Sequence, residues 1–467
     1  MTIQVRENTE DLKGKVKGAV LVPGNASYED ARRVWNAMID RRPALIVRCA
    51  DTHDVAPAIS FARQNGLDIS VRGGGHHIAG HSVCEGGLVI DFSGMKSVRV
   101  DAGARRAYVQ PGATLRDFDQ AVQAHGLATP VGINSTTGIA GLTLGGGFGW
   151  LTREYGMTID NLLAVDITGA DGKMLHATEK ENPDLFWAVR GGGGNFGVVT
   201  QFEFKLHPVG PNVFAGLIVF PFKEAKQVLT HYREFVDSSP AKLNVWAVLR
   251  QAPPLPFLPV SAHGKEVVVL AVFYNGDPQE AENLILPLRH FGNVIGEQVG
   301  PMPYIQWQQA FDPLLSPGAR NYWKSHNFTE MRDGTLDTMI EYAGRLPSSE
   351  CEIFLGLLAG AANEVPSDAT AYRARDARFV VNVHGRWQGA AQDDECIAWA
   401  RAFFKATAPY ASEGAYINFM TADEDERIAA AYGANYARLL EIKRRYDPEN
   451  IFHLNQNIRS SKKKGAA

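Results

Sequence analysis

The residues best equipped for chemistry lie in one short run. Residues 72–82 read R-G-G-G-H-H-I-A-G-H-S and directly follow a strand expected over 67–71. Three successive glycines let consecutive backbone N–H groups turn toward one point. Such a nest binds phosphate oxygens, and Arg72 would add charge. A plain tight turn rarely needs three glycines in a row. The histidines His76, His77 and His81 admit three readings. They could bind a metal, although adjacent residues on an extended chain point to opposite sides and so ligate one ion poorly. They could be structural. An imidazole beside a phosphate-binding loop could also be bonded to a cofactor.

Two more glycine clusters follow, at 132–149 and 191–197. Glycine totals 46 of 467 residues, about 10% against a usual 7% or so. Its neighbours are Ile, Leu, Val, Phe and Trp, not the serines and polar residues of a linker. Glycine among apolar residues points to backbone packed close to something buried. Residues 132–149 alternate glycine with small donors. A helix interior would not tolerate that composition, whereas a loop draped over a large flat ligand would. In the third cluster Gly192, Gly194 and Gly197 match G-x-G-x-x-G. The dinucleotide fingerprint must follow a strand and open a helix. This one follows a helix expected over 185–189 and opens a strand, so nicotinamide binding is rejected. No P-loop, H-E-x-x-H or G-x-S-x-G pattern occurs.

Short strands and helices must position these loops. Strands are expected at 44–48, 67–71, 88–92, 97–100, 105–110, 162–168, 173–177 and 198–206. Helices are expected at 27–38, 51–66, 114–125 and 183–189, the first capped by Ser27 with Asp30 in a capping box. Ala170-Asp171-Gly172 is a hairpin signal. The order is an α+β pattern and not a regular βαβ series. Pro208-Val209-Gly210-Pro211 breaks the chain. Beyond it, apolar strands at 243–250, 266–274, 351–358 and 379–387 alternate with longer helices at 222–236 and 392–407. That suits one antiparallel sheet with helices on one face. A last helix is expected near 432–446. The chain thus divides into 1–210, 211–414 and 415–467.

Composition excludes several classes. Lys+Arg number 47 and Asp+Glu 51, leaving a net charge of −4. This argues against a protein that coats nucleic acid or an anionic membrane. No apolar run approaches the roughly 18 residues of a spanning helix. Residues 1–17 are charged throughout and lack the apolar stretch of a secretory signal. Cys49, Cys84, Cys351 and Cys396 lie far apart with no C-x-x-C pair, which supports neither a zinc site nor a disulfide framework. Reduced thiols and a cytoplasmic location are the expectation. The tail Lys462-Lys463-Lys464 reads as a solvated end.

With R-G-G-G-H-H-I-A-G-H-S, the runs T-G-I-A-G-L-T-L-G-G-G-F-G-W-L at 137–151 and F-W-A-V-R-G-G-G-G-N-F-G-V-V-T at 186–200 carry a resemblance. The chain resembles the berberine bridge enzyme-like flavoproteins of the vanillyl-alcohol oxidase superfamily. Tyr155-Gly156, Asp160-Asn161, Tyr416-Ile417-Asn418-Phe419, the stretch from Tyr446 to Phe452 and Asn455-Gln456-Asn457 complete the pattern. The similarity runs from near Gly24 to Ile458. It implies an FAD cradled between two α+β subdomains of the p-cresol methylhydroxylase type, with a substrate domain covering the isoalloxazine. It also implies that His76 is bonded to the flavin 8α-methyl group. Gly73, Gly74 and Gly75 would hold the pyrophosphate, helped by Gly80 and Ser82. Thr136, Thr137, Gly141, Gly145, Gly146 and Gly147 would line the cofactor, and the backbone near Asn195 and Val199 would hold the adenosine end. Arg72, Gly132, Asn418 and Asn455 complete the implied cofactor set.

Three positions depart from the family pattern. Many relatives carry a second flavin link through a cysteine whose place is taken here by Asn134, so a single link and a lower flavin potential are expected. The paired tyrosines of several relatives are here Tyr416 and Phe419. Thr137 stands where relatives carry Val or Ile, and a short polar residue should not block oxygen as Ile does. The implied reaction is oxidation of a small organic molecule. A hydride would leave a C–H for flavin N5, a base would take the proton of the adjacent O–H or N–H, and O2 would take the electrons as hydrogen peroxide. Tyr416 is the expected base or orienting group. A phenol titrates at about 10, so it would need a partner. Tyr322, Lys324, His326 and His384, in expected substrate-domain strands, could provide one. Two alternatives stand beside this: a dehydrogenase with another acceptor, and a non-catalytic flavin- or metal-binding protein.

Overall fold

The computed structural model describes residues 9–459; the first eight residues and the lysine-rich tail lie outside them. Two small sheets form the N-terminal half. One has four strands in the order Ala19–Leu21, Leu45–Arg48, Leu88–Asp91, Ile69–Arg72, with parallel pairing around the third. The other has five antiparallel strands in the order Val98–Asp101, Arg106–Val109, Val198–Lys205, Leu162–Thr168, Met174–Ala177. Two of the glycine clusters leave the end of an element of these units. The first follows strand Ile69–Arg72, and the third lies between helix Pro183–Val189 and strand Val198–Lys205.

The second half is one seven-stranded antiparallel sheet. Its order is Gly296–Pro303, Asn212–Pro221, Glu266–Tyr274, Leu243–Gln251, Glu352–Leu357, Phe379–Trp387, Arg320–Phe328. Helices Ala225–Ser238, Asp333–Ala343 and Asp393–Thr407 pack against it. Strand Glu266–Tyr274 is buried on both faces, so its β-branched run shows no polar alternation. Val268, Leu270 and Val272 join the main core, while Val267, Val269 and Ala271 turn to a cavity on the other face. The fold is thus α+β, as expected.

Several expected elements take a different form. The helix over 27–38 shrinks to Tyr28–Arg32, and Ser27 makes no side-chain cap. Tertiary bonds pull the rest of the segment off the helix. Trp35 N–H donates to the Gly75 carbonyl at 3.0 Å, and Asn36 Nδ2 donates to the Ile78 and Asn321 carbonyls at 3.0 and 2.9 Å. The second glycine cluster is not all loop, because Ile139–Leu144 is a short helix. Strands Asn212–Pro221 and Gly296–Pro303 were not expected. The second holds two prolines and lies at the sheet edge, where a missing N–H is tolerated.

The C-terminal segment returns to the first half. Buried Lys443 donates from Nζ to Asp447 Oδ2 and to the Asn195 and Phe452 carbonyls, each at 2.7–2.8 Å. Asp447 accepts the N–H groups of Ile451 and Phe452. Asn195 Nδ2 donates to the Gln456 carbonyl, and its Oδ1 accepts the Ile458 N–H. The Y-D-P-E-N-I-F run is therefore a clasp that pins residues 451–458 onto the third glycine cluster.

Candidate functional site

Glycine loops, large sheet and C-terminal segment enclose one cavity of about 360 Å³. The sheet wall is set by register. Arg250 faces Glu352, Glu352 faces His384 and His384 faces Trp323 across four neighbouring strands. Directly opposite residues share a face, and all four side chains line the cavity. Arg250 Nη1 donates to Glu352 Oε2 at 2.8 Å, and His384 Nδ1 lies 2.9 Å from Glu352 Oε1. Burial pushes the Glu352 carboxyl up, but Arg250 and the bond from His384 outweigh it and hold the group below the usual carboxylate range. The carboxylate therefore accepts from the Nδ1–H of His384, which leaves Nε2 as the basic nitrogen. That Nε2 is buried with no hydrogen-bond partner among the described residues. Trp323 stacks on the ring at 4.4 Å. An imidazole oriented by a carboxylate, with its second nitrogen unpartnered, is an arrangement found in general bases.

The C-terminal wall carries Tyr416, whose ring lies 4.9 Å from those of Phe148 and Phe419. Its oxygen accepts from Gly147 N–H at 3.2 Å and Asn418 Nδ2 at 3.0 Å. Burial nevertheless pushes the phenol up to about 12. That shift favours the protonated phenol, a hydrogen-bond donor. Tyr322, Lys324 and His326 point away from the cavity. Tyr322 and Lys324 bond to Asp423, and His326 stacks on Phe404 at 4.0 Å. Of the four expected partners, the fold brings only His384 into the site.

The glycine wall carries His76. Its ring stacks on Trp35 at 4.7 Å, and its Nε2 lies 2.8 Å from Thr136 Oγ1. Burial pushes it down to about 3, so the ring is neutral.

Comparisons with known proteins agree with this geometry. Residues 43–178 match the FAD binding domain family, and residues 415–459 match the family described as berberine and berberine like. An FAD-linked oxidoreductase of Dictyostelium discoideum is 31% identical over 448 residues, 95% of each chain. The (R)-6-hydroxynicotine oxidase of Paenarthrobacter nicotinovorans is 31% identical over 460 residues, 95% of this chain and 97% of that one. The crystal structure of 6-hydroxy-D-nicotine oxidase from Arthrobacter nicotinovorans superposes with a TM-score of 0.85 at 28% identity, covering 95% of this chain and 98% of that one. The chain belongs to the berberine bridge enzyme-like FAD-linked oxidoreductases.

The cavity suits the FAD of this family. Ser82 Oγ and Asn455 Oδ1 lie at its edge, buried without partners among the described residues, as groups awaiting phosphate or ribose would. A Cβ on Gly141 would meet nothing within 4 Å and would enter the cavity. Gly73, Gly74, Gly75, His76, Ser82, Gly132, Thr137, Gly141, Gly145, Val199, Asn418 and Asn455 all line it. The remaining implied residues do not. The Arg72 guanidinium donates to the Ala31 carbonyl and packs against Gly75 from behind the turn. Gly80 makes room for Ile39, Gly147 for Thr158, and Gly146 for Tyr416, Tyr372 and Met157. Asn195 belongs to the clasp. Thr136 reaches the site only through His76.

Even within the wall the glycines answer to backbone first. A Cβ on Gly74 would sit 2.3 Å from Gly138 N, and one on Gly73 would sit 2.8 Å from the Pro111 carbonyl. The first two glycine loops cross each other there. Sequence reasoning missed Trp35, Arg250, Glu352 and Trp323. The last three come together only through sheet register. Trp35 sat inside an expected helix.

Proposed function

We propose that this enzyme is an oxidase of an apolar, ring-bearing small molecule, acting on a C–H next to an O–H or N–H, with His384 as the base. The row Arg250–Glu352–His384 carries this reading, because it gives the sheet wall of the cavity one carboxylate-oriented imidazole with an unpartnered nitrogen. FAD, when bound, would supply the two-electron acceptor chemistry, with molecular oxygen as the final acceptor. His384 Nε2 accepts the substrate proton, and Glu352 stabilises the imidazolium that results. Arg250 keeps Glu352 ionised. The Tyr416 hydroxyl donates a hydrogen bond that orients the substrate. Trp246, Phe354, Trp323 and Phe419 grip its rings and exclude water.

The name of (R)-6-hydroxynicotine oxidase, a relative acting on a nitrogen heterocycle, supports that substrate class. Thr137 on the cavity wall supports access of oxygen. His76 would make the single covalent flavin link. Four buried free thiols support a cytoplasmic setting, and among the described residues no helix is long and apolar enough to cross a membrane.

The test is an anaerobic panel of aromatic and heteroaromatic alcohols and amines, with oligosaccharides beside them, scored by bleaching of the bound flavin. Bleaching by the ring compounds, followed by oxygen uptake and peroxide on admitting air, is expected. Bleaching by oligosaccharides alone would overturn the substrate class. Bleaching without oxygen uptake would make the enzyme a dehydrogenase.

A further inference from the structure

An imidazole attacks carbon through the ring nitrogen that carries no proton, and the bond made by the other nitrogen decides which one that is. At His76 the deciding bond is 2.8 Å, from Nε2 to Thr136 Oγ1. The Thr136 hydroxyl has one proton, and it points to Asn134 Oδ1 at 2.7 Å. The orientation of that amide is over-determined. Asn134 Oδ1 also accepts the Thr136 backbone N–H at 3.0 Å, and Asn134 Nδ2 donates to the Leu315 carbonyl at 3.2 Å. A flipped amide would set donor against donor and acceptor against acceptor at these contacts. With its proton held by Asn134, Thr136 Oγ1 can only accept from His76. Nε2 then carries the ring proton and Nδ1 is bare.

The same carbonyl also fixes the ring plane. Trp35, stacked on His76 with 23° between the rings, donates its indole N–H to Leu315 O at 2.9 Å. One backbone oxygen of a substrate-domain loop thus anchors both the platform under the imidazole and the amide that orders its protons. Burial keeps the ring neutral.

We infer that Asn134 and Thr136 are positioning residues that hold His76 as its Nε2–H tautomer, so that Nδ1 is the nitrogen joined to the flavin. This rests on the His76 attachment proposed above. Nδ1 supplies the electron pair of the new C–N bond, and a C–H bond of the 8α-methyl group breaks. The ring then gives up its Nε2 proton to solvent. Molecular oxygen takes the two electrons and two protons released, as hydrogen peroxide. Asn134, where relatives carry a second linking cysteine, acts here on the remaining link.

The test compares full-length wild type with T136V, T136S and N134A, sampled over time after synthesis with FAD present. Total flavin and acid-stable, protein-bound flavin are measured separately, and the linked nitrogen is read by NMR of the wild-type flavin peptide. T136V and N134A should attach flavin about tenfold more slowly or worse, by analogy with the bonds that orient metal-ligating histidines. Their total flavin should not change. T136S should match wild type, and the link should be at Nδ1. Attachment at the wild-type rate in T136V and N134A would overturn the inference, as would an Nε2 link. Parallel loss of total and covalent flavin in both would also overturn it, by assigning the pair to folding or binding. Wild type with all its flavin acid-soluble would instead refute the His76 attachment itself.

Discussion

The two facing walls of the cavity are made differently. The glycine wall is a backbone object, in which loops cross so closely that Gly74 and Gly138 leave no room for a methyl group. The sheet wall is a side-chain object, in which indoles and one imidazole hydrogen-bonded to a carboxylate project from rigid strands. The first can hold the same cofactor whatever the substrate. The second can change its chemistry by single substitutions without disturbing a loop. This separation lets one scaffold keep FAD and vary its reaction.

The sharpest way to break the comparison is at His384. H384A should slow anaerobic flavin reduction by the best substrate of the panel by about 10³-fold, within the range for losing a general base. Flavin content should stay at the wild-type level. A rate within about threefold of wild type would move the base elsewhere.

Next in size is the opposite wall. G74A drives a methyl group to 2.3 Å from Gly138 N. It should destabilise the protein by about 1–3 kcal/mol and lose flavin. V269A, on the sheet wall, should keep its flavin and alter KM. Denaturant melts and flavin absorbance check both. If V269A also lost flavin, the two walls would not be separable.

Y416F gives a smaller effect. Removing one hydrogen bond should cost about tenfold in rate or less, with the pH profile of reduction unchanged. A loss as large as that of H384A, or a shifted profile, would restore the phenol as base.

The smallest effect lies at the seam between the walls. Burial pushes the Asp119 carboxyl up to about 7, against the single bond that it accepts from Gln308. A free aspartate titrates at about 4. Between those values the folded state binds more protons than the unfolded state. Asp119 thus favours folding most below about pH 4, and that contribution is lost as the pH rises through 7. D119N should flatten this part of the stability profile and raise the melting temperature at pH 8 relative to wild type. An unchanged slope would show that Asp119 is ionised throughout.

The same contrast explains what could be read from the sequence. The glycine wall is local: a nest, a strand before it and a histidine after it are neighbours in the chain. Its position and the general α+β layout were therefore legible. What the glycines avoid was not, because Gly138 and Pro111 reach Gly73 and Gly74 only through tertiary crossing. The sheet wall is scattered, with Arg250, Glu352 and His384 more than thirty residues apart at each step and joined only by register. No periodicity within one strand reveals that row. Trp35 was hidden for another reason. Its segment has helical character, and bonds to Gly75, Ile78 and Asn321 override it.

The most direct measurement is acid precipitation of the purified enzyme, followed by absorbance and peptide masses of the pellet. The account predicts a yellow pellet with FAD mass on the peptide containing His76 and on no other. Flavin released to the supernatant, or carried by a different peptide, would contradict it.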